Sequence, residues 1–150
     1  LAALLALCAG PLAAQDLIAP DLVAPDLVAP VHGNWCGPGW GAGPALDQID
    51  AACQRHDLCI GTYGLGACGC DIAFMDDMAR VPKMSLGQQE LARALYEAIA
   101  LSPCTDPALQ QAKAEMALAT WGLAVASGHE PPWAVIDRLG TLAARGLGLD

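Results

Sequence analysis

The sequence has few basic side chains, and they are not clustered. Seven Lys and Arg residues stand against 16 Asp and Glu in 150 residues, which gives a formal net charge of -9. Binding to nucleic-acid phosphates and to anionic membranes both depend on grouped Lys and Arg. The composition therefore argues against a nucleic-acid partner and against strong attraction to anionic membranes. The basic residues are Arg55, Arg80, Lys83, Arg93, Lys113, Arg138 and Arg145.

A long apolar run is also missing. The uncharged apolar segment 1–14 (LAALLALCAGPLAA) is too short to span a bilayer. Its apolar stretch and its small residues Ala13 and Ala14 are typical of the later part of a signal peptide. We therefore expect export, with cleavage near Ala14; a buried N-terminal helix is the alternative.

Segment 15–31 carries a repeat with no pattern of a packed element. The sequence DLIAP-DLVAP-DLVAP fills 16–30. Each Pro disfavours helix at the residue before it, and three short copies are too few for a solenoid. We interpret 15–31 as a semi-extended linker and 32–150 as one folded domain.

No segment of that domain alternates apolar and polar residues convincingly, so the predicted fold class is all-α. Helical spacing predicts helices over 44–60, 68–80, 85–101 and from 105 to Gly128, with a short last helix opened by 131–132. The third begins with the capping box SLGQ. The expected inward faces are Leu46, Ile49, Cys53, His56 and Ile60; Asp71, Phe74, Met75 and Met78; Leu91, Leu95 and Ile99; Leu109, Ala112, Met116 and Leu123; and Trp133, Ile136 and Leu139.

The Gly-rich loop, defined as residues 32–43 (HGNWCGPGWGAG), holds five glycines in twelve residues. Such a loop can turn successive backbone carbonyls towards one point. Calcium binds six to eight oxygens and often takes backbone carbonyls among them. Asp57 could add a carboxylate. A plain surface loop is the alternative interpretation.

His56 and Asp71 form a second candidate constellation. His56 lies on the predicted inward face of the first helix, and Asp71 is a carboxylate on an otherwise apolar face. Because burying a lone carboxylate is costly, Asp71 needs a partner. If the two helices pack antiparallel, Asp71 approaches His56 and leaves the other ring nitrogen free as a general base. A core histidine with its counter-ion is the alternative.

Six cysteines remain outside the predicted signal segment, which contains Cys8. An even count in an exported chain predicts three disulfides, with fifteen possible pairings. A zinc site is the alternative, because Cys and His are its usual ligands. However, the spacing C-x2-H-x2-C followed by C-x-C is not that of a common zinc motif. The six are Cys36, Cys53, Cys59, Cys68, Cys70 and Cys104.

Together, the segments HGNWCGPGWGAGP, DAACQRHDLC and CGCD closely resemble the secreted, calcium-dependent phospholipases A2, and the bee-venom type is the closest in motif. The resemblance covers about 31–78 plus Cys104, so we divide the domain into a matched core, 32–104, and a helical extension, 105–150. It implies a disulfide-linked antiparallel helix pair with a calcium loop. It departs from the family pattern at Ala52, where a Cys is usual, and at Ile60, where a Tyr is common.

The resemblance also implies roles for individual residues. His56 is the catalytic base, Asp71 orients it, and Tyr96 supports Asp71. Calcium is bound by the carbonyls of Trp35, Gly37 and Gly39 and by the carboxylate of Asp57, and the N–H of Gly37 assists catalysis as an oxyanion donor. The implied disulfides are Cys36–Cys53, Cys59–Cys70 and Cys68–Cys104.

The activity implied by this resemblance is hydrolysis of the sn-2 ester of glycerophospholipids at a membrane surface or micelle. The expected protein is a monomer, secreted or periplasmic, that uses Ca²⁺ and has no nucleic-acid partner. A non-catalytic module of the same fold is the main alternative. The presence of His56, Asp57 and Asp71 argues against it.

Overall fold

The computed structural model describes residues 28–82 and 85–149. Within these ranges the chain forms helices and loops, with one isolated antiparallel bridge between His32 and Cys36 and no strand. The all-α prediction is confirmed for this part of the chain. The signal segment and most of the repeat lie outside the described residues. In chain order the helices are α1 (Gln48–Tyr63), α2 (Cys68–Arg80), α3 (Leu86–Leu101), α4 (Pro107–Ala126) and α5 (Ala134–Gly146).

Three of the helices, α1, α3 and α4, begin at residues whose side chains accept from their first free N–H groups. Asp47 accepts from the N–H of Asp50 at the start of α1. Ser85 and Gln88 form the predicted capping box of α3. Asp106 caps α4. At the other end of α1 the helix continues past the predicted stop at residue 60, until Gly64 ends it with φ 94°.

The core lies between α1, α2 and α3. The predicted inward face of α2 is buried in full, and Leu91 and Leu95 of α3 are buried against it. Ile49 and Cys53 of α1 join this core, and Ile60 is half-buried. Leu46 is exposed and precedes α1, which begins at Gln48 and not at the predicted residue 44. None of the helices in the described residues is long and apolar enough to cross a bilayer.

The predicted inward faces of α4 and α5 are wrong at five of their seven residues, whereas Ala112 and Leu139 are half-buried. Leu123, Trp133 and Ile136 are exposed, and the buried side chains of these two helices are Lys113 and Arg138. Both cations point inward because carboxylates meet them there. The partner of Lys113 is Asp71, and Arg138 bonds Glu97 and Glu130.

The last residues of the predicted linker pack against the domain. Ala29 is buried, and its N–H donates to the carbonyl of Pro38 at 3.0 Å. The N–H of Val31 donates to the carbonyl of Cys36 at 2.8 Å. A Cβ added at Gly146 would lie 3.3 Å from the Cβ of Ala29, so α5 covers this segment. The packed part of the chain thus begins before residue 32.

Three disulfides are present, as the even count of cysteines predicts. Cys36–Cys53 joins the Gly-rich loop to α1, Cys59–Cys70 joins α1 to α2, and Cys68–Cys104 joins the start of α2 to the α3–α4 connection. These are the pairs that the resemblance implies. All six sulfurs are used, which leaves no thiolate of this set for the zinc site considered above.

Candidate active site and metal-binding loop

His56 and Asp71 meet across the α1–α2 interface. The imidazole Nε2 of His56 lies 2.8 Å from Oδ1 of Asp71, and the Cys59–Cys70 disulfide joins the same two helices. The two side chains are 14% and 6% exposed, and the ring of Phe74 lies 5.0 Å from that of His56 between centroids. The helix pair therefore holds an imidazole and a carboxylate in a largely apolar setting.

This contact sets the protonation of the His56 ring. A carboxylate oxygen accepts, so Nε2 donates its proton to Asp71 and Nδ1 keeps its lone pair. Nδ1 lies 3.8 Å from Oδ1 of Asp57. Burial alone lowers the pKa of the imidazole, but the neighbouring Asp57 and Asp71 carboxylates outweigh it and raise the pKa above its ordinary value.

Lys113 is part of this site, although its sequence pattern does not predict it. Its ammonium donates to Oδ2 of Asp71 and, at 2.9 Å, to the carbonyl of Ser102. A lysine on a helix usually faces water, so burial of Lys113 is not expected from its residue type. Two observations could have shown it. Lys113 follows Leu109 by four residues and precedes Met116 by three, on the face expected to point inward, and Asp71 requires a partner.

Asp50 holds the Gly-rich loop in place. Like Lys113, it was not among the predicted site residues. This fully buried carboxylate accepts the backbone N–H groups of Asn34 at 2.9 Å, Trp35 at 2.7 Å and Leu46 at 2.8 Å. Gly33 is required beside it, because its φ is +58° and a Cβ there would lie 2.3 Å from Cγ of Asp50. An acidic residue in the first turn of a helix that follows a Gly-rich loop is the sequence feature that could have indicated this role.

Three backbone carbonyls of the Gly-rich loop are candidate oxygen donors for a metal. Among hydrogen bonds formed within 28–82 and 85–149, the carbonyls of Trp35 and Gly39 accept none, and that of Gly37 accepts from the N–H of Trp40 at 3.2 Å. Asp57 is 40% exposed on its side chain. A Cβ at Gly41 would lie 3.4 Å from Oδ2 of Asp57, so the loop packs against this carboxylate.

This donor set fits a hard cation in its chemistry. Carbonyl and carboxylate oxygens are the ligands that calcium prefers. Within the described residues no Lys or Arg forms an ion pair with Asp57, so its charge is not already neutralised by a basic side chain. The described residues also contain no group of three His, Cys, Asp or Glu side chains suited to a metal. A cation here would depend on the backbone of the loop together with one carboxylate.

A cavity of about 260 Å³ opens beside these groups. It brings together four of the predicted catalytic and metal-binding residues, Trp35, Gly37, His56 and Asp57, whereas Gly39 and Asp71 are not part of its lining. Its remaining wall is mostly apolar, so it suits a ligand with a hydrocarbon part. The apolar residues that line it include Val31, Phe74, Leu95, Ile99 and Leu142.

The resemblance implies that Tyr96 supports Asp71, but the structure places Tyr96 elsewhere. Its side chain is buried and lines a different groove, with Met78 and Ala92. In the described part of the chain its hydroxyl makes no hydrogen bond to Asp71. The two oxygens of that carboxylate are bonded by His56 and Lys113 instead.

Comparison with known proteins points to one class of enzyme over a short segment. The chain is 50% identical over 38 residues to each of two proteins named phospholipase A2 from the centipede Scolopendra dehaani. The match covers 25% of this chain and 25% of each relative, so the chain spans about a quarter of the length of the curated relatives it matches. No family model matches, and no solved structure matches. The similarity supports a phospholipase A2-like protein.

Proposed function

We propose that this chain is a calcium-dependent phospholipase A2 that hydrolyses the sn-2 ester of glycerophospholipids, releasing a fatty acid and a lysophospholipid. One observation carries the proposal. His56 is held by Asp71 at 2.8 Å and lines an apolar cavity together with Asp57 and the Gly-rich loop. A base, a cation-binding carboxylate and a hydrophobic cavity are the three parts that such a reaction needs.

His56 acts as the general base. Its Nδ1 takes a proton from a water molecule, and that water attacks the ester carbonyl. Asp71 keeps the proton of the neutral ring on Nε2 and stabilises the imidazolium that forms. His56 then returns a proton to the departing alkoxide of the lysophospholipid. Because water is the nucleophile, no acyl-enzyme forms.

The carbonyls of Trp35, Gly37 and Gly39 and the carboxylate of Asp57 would hold the calcium ion. Bound there, calcium would supply Lewis-acid stabilisation of the ester oxyanion and positive charge for the substrate phosphate. The N–H of Gly37 makes no backbone hydrogen bond among the described residues and serves as an oxyanion donor.

We expect the acyl chain to bind along the apolar wall of the cavity. The apolar side chains of this wall include Leu95, Ile99 and Leu142. The substrate is presented by a membrane surface or micelle, and the protein acts as a monomer. Three disulfides favour an oxidising compartment, so we place the enzyme outside the cytosol, secreted or periplasmic. We expect a resemblance to the bee-venom type, on the basis of the loop sequence HGNWCGPG.

The test is positional lipid hydrolysis. Phosphatidylcholine labelled in the sn-2 acyl chain, dispersed in neutral micelles, is incubated with the protein and millimolar calcium, and the labelled fatty acid is measured. The same lipid labelled at sn-1 is the matched control. We expect release from the sn-2 label alone and its loss in excess chelator. A folded, disulfide-intact protein that releases no sn-2 label would contradict the proposal.

A further inference from the structure

Lys113 is a fully buried cation with every donor used. Its side chain is 0% exposed. An ammonium group carries three N–H donors. They meet Oδ2 of Asp71, the carbonyl of Ser102 at 2.9 Å and the hydroxyl of Ser102 at 3.4 Å. The ammonium is thus fixed from the α3–α4 connection and held against a carboxylate of α2.

The carboxylate of Asp71 is held from two sides. Oδ1 contacts His56 and Oδ2 contacts Lys113. The carboxylate plane is therefore set by two donors that belong to different helices, α1 and α4. Without Lys113, Oδ2 would be a buried oxygen with no partner among the described residues, which is costly enough to drive a rotation or an opening of the site.

We propose that Lys113 is a positioning residue of the reaction, which fixes the Asp71 carboxylate so that His56 keeps its proton on Nε2 and its Nδ1 lone pair free. This inference rests on the proposed function for its kinetic consequence. The effect on the tautomer of the His56 ring does not depend on the proposed function. It can therefore be measured whether or not the protein hydrolyses phospholipids.

A purely structural ion pair between α2 and α4 is the competing explanation. It predicts that removing Lys113 lowers stability and leaves the His56 ring unchanged. Arg93 offers a matched control, since it also pairs with a buried carboxylate, Glu97, which keeps Arg138 as a second partner. Arg93→Met thus removes a helix-held cation without touching Asp71.

The first experiment observes the ring directly. The protein is labelled with ¹⁵N-histidine, and His56→Gln identifies the signals of His56. We expect one tautomer in the unmodified chain, with a slowly exchanging proton on Nε2. Lys113→Met should give mixed tautomers or rapid exchange of that proton, and Arg93→Met should not. An unchanged His56 spectrum in Lys113→Met would overturn the inference.

The second experiment separates binding from turnover. Because the loop and Asp57 are untouched, Lys113→Met should lower kcat about 10- to 100-fold, as loss of an outer partner of a functional group does. KM and the calcium dissociation constant should stay the same. A change in KM with kcat unaltered would count against positioning.

A third comparison holds even if Lys113→Met alone folds poorly. The double variant Lys113→Met/Asp71→Asn removes both charges of the buried pair, and its kcat is compared with that of Asp71→Asn. Since Lys113 acts through Asp71, we expect no further fall. Independent, multiplying losses would overturn the inference. Lys113→Met could give mixed His56 tautomers in a chain whose unmodified form releases no fatty acid. That result would support positioning by Lys113 and reject the proposed reaction.

Discussion

Oδ1 of Asp50 accepts the backbone N–H of Trp35 at 2.7 Å, from within the first turn of α1. The same carboxylate accepts from Asn34 and Leu46, so one buried side chain ties the Gly-rich loop and the segment that follows it to the helix that carries His56. The shape of the loop is therefore set by the helix rather than by the glycines alone.

Replacing Asp50 should weaken both stability and calcium binding. Asp50→Ala leaves three N–H groups without their acceptor, and we expect a loss of roughly 3 kcal/mol, the scale of one or two hydrogen bonds to a charged group. Urea unfolding measures the first effect, and calorimetric calcium titration measures the second. Asp76→Asn, at an exposed position of α2, is the control. Calcium affinity equal to that of the unmodified chain would contradict a role of Asp50 in shaping the loop.

Asp57→Asn should remove calcium binding without disturbing the fold. Asp57 is partly exposed, and its ion-pair partner among the described residues is His56 at 3.8 Å, so the amide replaces it with little change in packing. We expect calcium binding and fatty-acid release to disappear together, while the unfolding midpoint in chelator stays the same. Normal calcium affinity in this variant would show that calcium binds without Asp57 and would contradict the proposed metal site.

The disulfides should differ in what they contribute. Cys36–Cys53 closes a separation of 17 residues and Cys68–Cys104 one of 36, so each should contribute about 2–4 kcal/mol, with the longer loop at the upper end. Only the first holds the Gly-rich loop. Replacing Cys36 and Cys53 by Ser should weaken calcium binding, measured in calorimetry. The same change at Cys68 and Cys104 serves as the comparison and should lower stability with calcium affinity retained.

Asp47 should make the fold sensitive to acid. Partial burial raises the pKa of its carboxyl, but hydrogen bonds from the Asp50 N–H and from His32 outweigh this and lower the pKa. Its contribution is therefore present above its unfolded value, about 3.9, and is lost as the pH falls through the lower folded value. Thermal unfolding between about pH 2 and pH 6 should show a shallower acid loss for Asp47→Asn. Parallel curves would contradict this contribution.

Local patterns in the sequence were enough for much of this architecture. The spacing of apolar residues predicts α2 to the residue, and SLGQ predicts the start of α3. The contact of His56 with Asp71 also follows from the pattern, because a carboxylate on an apolar face needs a partner on the neighbouring helix.

The remaining features depend on contacts between distant residues. Lys113 meets Asp71 across 42 positions, and Arg138 meets Glu97 across 41. Periodicity treats a cation as a solvent-facing residue, so it does not predict that Lys113 and Arg138 are the buried side chains of α4 and α5. The role of Asp50 likewise depends on the folded shape of a loop that no period describes.

The central claim is that His56 activates water beside a calcium site. The most direct measurement is a calcium titration of sn-2 fatty-acid release by the unmodified chain and by His56→Gln, with near-ultraviolet circular dichroism to verify the fold of both. We predict release that saturates with calcium and vanishes in chelator for the unmodified chain, and a loss of about a thousandfold or more for His56→Gln, whose amide cannot serve as the base. Release that persists in chelator, or that survives His56→Gln, would contradict the account.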